Sequence, residues 1–305
     1  MAQLGIDYAN TDTINKPGVA GFTQAKNAGA KIIIPRAVFG RPEYGQSPVY
    51  LDAYWSRDKD DIVAAGLIRS SYLFVCVPTK ARPDTPSPEV QVAAFYGYVQ
   101  LDKPAIGKKP HDMVPFFDVE MASDVLSADE YYDWILEVAK LLRSSFGAWP
   151  GMYTSERVWT EVLKNHAAGQ LINCPLWIAK PWPWARNTPV HLDGAPGYNP
   201  TTIPEMGDAT NFVLYQYQGD GLGMPGFAPG AVDMNRANLV QRGSKGTIVK
   251  WIQARAGNIA VDGDFGPKTE ARLKDLQMQY ALTADGIVGV DTFTLLSWLN
   301  PAPIS

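Results

Sequence analysis

For roughly its first 180 residues the chain alternates between short apolar runs and helix-like stretches, and this rhythm limits the fold more than any other feature. Short runs rich in Val, Ile and Phe read as buried strands. When a helix separates each strand from the next, the strands pair in parallel and the helices cover the sheet from outside. Strands are predicted at Leu4–Tyr8, Lys31–Ala37, Ile68–Val77, Val114–Glu120, Gly151–Thr154 and Leu176–Lys180. The helices between them carry their own start and stop signals. Pro17-Gly18 opens the first, which closes at Gly29, and the second runs from about Tyr50 to Ala65 with Gly66 as its stop. Ser87-Pro88-Glu89 supplies a cap, a proline at the first helical position and an acid in the first turn, for a helix reaching about Gln100. Ser127-x-x-Glu130 is a capping box, and the helix behind it sets Tyr131, Trp134, Ile135, Val138, Leu141 and Leu142 on one core-facing stripe. A further helix runs to about Asn165.

The rhythm then changes. Pro181 to Pro204 holds six prolines and two tryptophans, Trp182 and Trp184, and reads as loop. Strands follow at Phe212–Gln218 and Ala231–Met234, with a glycine-rich loop and no helix between them. Eight strands, the last of them without helices, predict an α/β fold: a modified (β/α) barrel, TIM-like over most of its circuit. Chemistry in such barrels gathers at the carboxyl ends of the strands. Asp7, Arg36, Tyr72, Asp118, Glu120, Gln216 and Asp233 all fall at or near those ends.

Asp118 and Glu120 end the apolar run Val114-Pro115-Phe116-Phe117. Residues two apart on a strand share a face, so the two carboxylates project together with α-carbons about 7 Å apart. Their repulsion raises the pKa of one, which suits a general acid beside an ionised partner. Solvated acids at an ordinary strand end would give the same local pattern. Several polar residues from different strands meeting on one rim favour a site.

Other chemistries leave little trace. A net charge of −4 gives no general attraction to nucleic acid or anionic membrane. Two cysteines, Cys76 and Cys174, are read as buried thiols rather than a disulfide framework. The histidines His111, His166 and His191 are scattered, and neither His-Glu-x-x-His nor Cys-x-x-Cys occurs, so no metal site or cofactor is expected. Gly221-x-Gly223-x-x-Gly226 matches a dinucleotide fingerprint only as a bare pattern. It leads into Phe-Ala-Pro-Gly rather than a helix and is read as a loop over the cleft rim. The amino terminus has no basic-then-apolar leader and no apolar run approaches a membrane span of ~20 residues. The expectation is a chain made in the cytoplasm without membrane insertion.

From Leu239 the texture shifts. Asp262-Gly-Asp-Phe-Gly266-Pro-Lys-Thr269-x-x-x-Leu273 recurs as Asp285-Gly-Ile-Val-Gly289-Val-Asp-Thr292-x-x-x-Leu296, offset by 23 residues. This is a repeated turn-then-helix unit. A calcium-loop reading fails because the twelfth position is Leu273 rather than a bidentate Glu. Two domains are expected, 1–236 and 239–299.

The second domain resembles the peptidoglycan-binding module common in bacterial and phage wall hydrolases, through Gly243-Ser-Lys-Gly246, Val249-Lys-Trp-Ile-Gln253, Asp262–Thr269 and Asp285–Gly289. The first resembles family 25 glycoside hydrolases, the Chalaropsis-type lysozymes. Gly5-Ile-Asp7, Phe117-Asp118-Val-Glu120, Gly151-Met-Tyr153, Leu176-Trp-Ile-Ala179, Gln216-Tyr217 and Val232-Asp233-Met-Asn235 occur in that family's order. Tyr72-Leu-Phe-Val75 departs from the usual Tyr-x-Phe-His, and Arg36 stands where lysine is frequent. The two resemblances together imply a phage endolysin that hydrolyses bacterial peptidoglycan with net retention and is released to the wall by a separate holin. They imply Glu120 as general acid and Asp118 as nucleophile or as the group orienting the substrate's 2-acetamido group. Asp7 and Asp233 would line the same cleft. Arg36 and Gln216 would contact substrate, and Tyr72, Tyr153, Trp177 and Tyr217 would stack on sugar rings. A chitinase-type barrel uses a longer Asp-x-x-Asp-x-Asp-x-Glu run, whose two earlier positions are here Met113 and Phe116. A wall amidase or endopeptidase would need clustered His, Cys and Asp ligands. A non-catalytic wall-binding or virion protein would have no need of all four acids.

Overall fold

The computed structural model describes residues 3–9, 16–155, 157–158, 162–163, 170–179, 212–221, 224–227 and 232–299. Its strands are β1 (Leu4–Tyr8), β2 (Ala30–Phe39), β3 (Tyr50–Leu51), β4 (Ile68–Arg69), β5 (Tyr72–Phe74), β6 (Phe116–Val119), β7 (Gly151–Ser155), β8 (Leu176–Ala179), β9 (Phe212–Gly221) and β10 (Val232–Ala237). Helices α1 (Gly18–Asn27), α2 (Ala53–Ala64), α3 (Pro88–Tyr98) and α4 (Ala128–Phe146) lie between the early strands. Most of the expected helix ending near Asn165, and all of the Pro181–Pro204 stretch, Lys180, His166 and His191, lie outside the described residues.

Strands β1, β2, β5, β6, β7, β8, β9 and β10 follow one another around a ring, and β1 pairs with β2 to close it. The circuit is an eight-stranded barrel. The expected third strand, Ile68–Val77, is two pieces, because Ser70 and Ser71 turn their hydroxyls to the carbonyls of Val114 and Pro35 and interrupt the run. Seven strands run parallel, whereas β10 is antiparallel to both β9 and β1. With no crossover helix behind β9, the chain can only turn back beside it.

Ser127 caps α4 in the expected reciprocal box with Glu130, and Gly147 ends the helix in the left-handed conformation at φ 76°. The barrel interior is filled by aromatic rings. Phe116 lies opposite Gly151 in the β6–β7 ladder, and a β-carbon at position 151 would collide with its ring. Strand side chains that alternate with the interior ones pack outward under α1 and α2, among them Ile6, Ile33, Tyr217 and Met234, and meet Phe22 of α1.

The carboxyl-terminal module has three helices, α5 (Thr247–Ala256), α6 (Pro267–Gln279) and α7 (Val290–Trp298). Its sequence repeat has a physical centre. Buried Gln253 donates to the Asp262 carboxylate, the Asp264 carbonyl and the Thr269 hydroxyl, and accepts from the Gly263 N–H. Gln277 does the same with Asp285, Ile287, Thr292 and Gly286. Each turn needs its glycine because φ is 78° at Gly263 and 76° at Gly286.

The module packs on the barrel. Trp298 donates its indole N–H to the Asp112 carbonyl at 2.7 Å, and Trp251 and Arg255 both donate to the Asn173 carbonyl. Gln3 accepts the Val290 N–H at 2.7 Å. Gln3, Asp112 and Asn173 precede β1, β6 and β8, so the module closes the end of the barrel where the parallel strands begin. No described helix is long and apolar enough to cross a membrane.

Candidate active site

The opposite end carries the acids. Asp118 lies near the end of β6 and Glu120 one residue beyond it. Asp7 lies near the end of β1. Asp233 is near the start of β10, and it reaches the same rim because β10 runs backwards. Asp7 and Asp233 are direct cross-strand partners. Like charges placed opposite in a ladder are destabilising unless something bridges them. Gln216, from β9, does so: its amide nitrogen lies 3.0 Å from Asp233 Oδ2 and 3.3 Å from Asp7 Oδ1. Asn235 donates a further bond of 2.7 Å to Asp7 Oδ1. Gly5 leaves room for that side chain, since a β-carbon there would stand 3.2 Å from Asn235 Cβ. Behind the amides, Trp177 donates its indole N–H to Asn235 Oδ1 at 2.6 Å, and the Tyr153 hydroxyl donates to Gln216 Oε1 at 2.8 Å.

Asp118 is only 4% exposed, and its Oδ1 has no hydrogen-bond partner. Burial, then repulsion from Glu120 and Asp7, holds its carboxyl well above the usual carboxylate range, with Arg36 opposing. Glu120 opens to solvent along the cleft but is hemmed in by protein on its other sides. That partial desolvation raises its carboxyl, while Tyr153 and Arg157 pull the other way. The two acids are close enough to titrate as a pair. A negative charge on either carboxyl disfavours ionisation of the other, so the pair keeps a proton to higher pH than isolated carboxyls would.

Arg36 is buried and held by Asp52, which also caps α2 by accepting the Tyr54 N–H. The aromatic candidates separate into two groups. Trp177 sits inside the barrel beneath the acids, edge-on to Tyr153 at 4.5 Å, Phe116 at 5.4 Å and Tyr72 at 6.1 Å between ring centroids. Tyr153 lies next to the acids and Tyr72 against the Trp177 ring, both with little exposed surface. Tyr217 does not join them. It neighbours Gln216 in sequence, so the pleat sends it to the outer face, where it packs with the side chains under α1. The sequence reading missed Asn235 as a site residue, although Asp233-x-Asn235 has the same two-residue spacing as Asp118-x-Glu120.

Other reactive groups are committed elsewhere. Cys76 and Cys174 are free and buried, and burial pushes the Cys76 thiol up to about 12, away from a thiolate nucleophile. Asp102, His111 and Asp112 come together, but Arg69 takes both carboxylate oxygens of Asp112 at 2.8 and 2.7 Å. In the glycine-rich loop Gly226 is pressed against the backbone of Gly21 in α1, a packing contact rather than a phosphate cradle.

Barrel and acids together describe a carboxylate-lined hydrolase cleft, and comparison with known proteins gives the family. Residues 8–222 match the profile of the glycosyl hydrolases family 25, and the chain belongs to that family. Residues 245–296 match a putative peptidoglycan binding domain. Among solved structures, a bacterial lysozyme from Streptomyces coelicolor superposes with a TM-score of 0.55 at 20% identity, covering 78% of this chain and 93% of that one. A family GH25 lysozyme from Aspergillus fumigatus gives 0.54 at 20% identity, covering 78% and 94%. At these identities the likeness is one of fold. A zinc D-Ala-D-Ala carboxypeptidase of Streptomyces albus G is 39% identical over 71 residues, which are 21% of this chain and 28% of that protein's length.

Proposed function

We propose that the chain is a lysozyme, an N-acetylmuramidase that hydrolyses the β-1,4 glycosidic bonds of bacterial peptidoglycan. The observation that carries this reading is the Asp118–Glu120 pair, both carboxyls raised, facing Asp7 and Asp233 across one cleft. Glu120, the more open of the two, protonates the glycosidic oxygen as the C1–O bond breaks. The carbonyl oxygen of the substrate's 2-acetamido group closes on C1. Asp118 accepts a hydrogen bond from the acetamido N–H, which gives its unpaired Oδ1 the donor it lacks. That bond stabilises Asp118 as carboxylate and moves the pair's proton to Glu120. Water then attacks C1 from the side of the departed group, Glu120 takes its proton, and the configuration at C1 is retained. Asp7 and Asp233 add negative charge near the developing oxocarbenium ion. Arg36 and Tyr153 border the acids and, with Tyr72, shape the sugar subsite, and Trp177 supports them from below.

The module at 239–299 holds the enzyme on its substrate, on the face of the barrel away from the cleft. In the organism the protein acts as an endolysin released to the wall by a holin. Proton NMR of the first product formed from a defined glycan tests the chemistry. Initial β-anomer with N-acetylmuramic acid at the new reducing end is expected. Initial α-anomer would overturn retention, and N-acetylglucosamine at that end would make the enzyme a glucosaminidase. A glycosyl ester trapped on Asp118 would replace acetamido attack by a nucleophilic Asp118.

A further inference from the structure

The amides beneath the acids carry no charge, yet their orientation is fixed by chemistry. A side-chain amide has one end that donates and one that accepts. An indole N–H can only donate, so the oxygen of Asn235 faces Trp177 and its NH2 faces Asp7. Turning Gln216 over would set its oxygen against two carboxylate oxygens at 3.0 and 3.3 Å, so its NH2 faces them and its oxygen receives the Tyr153 hydroxyl. Asp7 Oδ1 therefore accepts two N–H bonds and Asp233 Oδ2 accepts one. Donors to a carboxylate favour its charged form. On Asp118 the arrangement is reversed, with a buried oxygen that receives nothing.

We propose that Gln216 and Asn235 are positioning residues that hold Asp7 and Asp233 as ionised hydrogen-bond acceptors and so confine the cleft's proton to Asp118 and Glu120. The proposal rests on the glycosidase reading and adds to it an explanation of how four clustered acids are sorted into two roles. Among the described residues, the titratable groups that face this cluster are Arg36 from β2, Asp118 and Glu120 from β6, Tyr153 from β7 and Arg157 just after it, with Tyr72 of β5 against the Trp177 ring. Strands β8 and β9 contribute Trp177 and Gln216, which do not titrate. Trp177 is then the part that aims Asn235.

The test is the pH profile of kcat/KM on soluble peptidoglycan fragments for wild type, Gln216→Met and Trp177→Phe. Without the Gln216 donors Asp7 and Asp233 take up protons at higher pH, so the acid limb rises by about one pH unit. At the pH of the alkaline limb both acids are ionised again, so that limb stays in place and the bell narrows from its acid side. Trp177→Phe frees Asn235 to turn and narrows the bell less, in the same direction. Limb positions are ratios within one protein and do not depend on how much of a variant is folded. A lower rate at every pH with unchanged limbs in both variants would mean a merely structural role and overturn the proposal. A wild type that cleaves no glycan would instead remove the reading beneath it. The 13C titration of the Asp7 carboxyl then decides alone: an upward shift in Gln216→Met supports the proposal, and no shift overturns it.

Discussion

Asp118→Asn is expected to make the protein more stable and nearly inactive. Asp118 is 4% exposed, its Oδ1 has no partner, and Glu120 and Asp7 both repel its charge. An unsatisfied buried polar group costs about 1–3 kcal/mol, and more when charged. Asn has the same shape and no charge, and its NH2 can donate to the acceptors of Glu120 and Asp7. A gain of about 1–3 kcal/mol at pH 7 is expected, at roughly 2–4 °C of Tm per kcal/mol for a chain of this size. The sign follows from linkage. The folded carboxyl is raised, so between the unfolded value near 3.9 and the folded value the native state holds a proton that the unfolded chain has lost. Wild-type stability therefore falls across that window as pH rises, and below about pH 4 the penalty is absent. Melting temperatures of both proteins from pH 3.5 to 8, with turnover at pH 6–7, would measure this. The Asn protein should gain stability only as pH rises and should lose roughly 10²–10³-fold in kcat. An unchanged or lower Tm at pH 7, or the same gain at pH 4 as at pH 7, would refute the reasoning.

Two further substitutions test the module. Gln253→Leu leaves the Gly263 N–H and the buried Thr269 hydroxyl without their partner and should destabilise by about 2–4 kcal/mol in urea unfolding, with a similar effect for Gln277→Leu. A change under about 1 kcal/mol in either would show that the repeat is held by its apolar contacts instead. Trp298→Ala removes a buried ring and its bond to the Asp112 carbonyl, and a loss of about 3–5 kcal/mol is expected. If the module only hung from a linker, barrel unfolding would not respond to that change.

Much of the fold was legible because the strands announce themselves locally. The acid-tipped run at Asp118–Glu120, the Ser127 capping box and the doubled Asp-Gly turn are short-range signals, and each has a short-range cause. The direction of β10 was recoverable from the missing helix, since a strand that follows without a crossover must run back. The site was legible as a set of charges at strand ends. Gln216 was legible as a strand-end residue, but the role of Asn235 was not, because that amide has meaning only through the indole behind it and the acid in front, which lie 58 and 228 residues away in sequence. Tyr217 was misplaced for a simpler reason: two consecutive strand residues cannot face the same side, and Gln216 already occupied the interior position. Docking of the module could not be read at all. It depends on Trp251, Arg255 and Trp298 meeting backbone carbonyls that the fold leaves at the base of the barrel.

The central claim, that Glu120 protonates a glycosidic bond of the cell wall, is tested most directly by digesting purified peptidoglycan with wild type and Glu120→Gln while counting new reducing ends and new free amines. Reducing ends from wild type, cut about 10²–10⁴-fold in the variant with no amines from either, are the predicted result. Equal rates from both proteins, or amines in place of reducing ends, would contradict it.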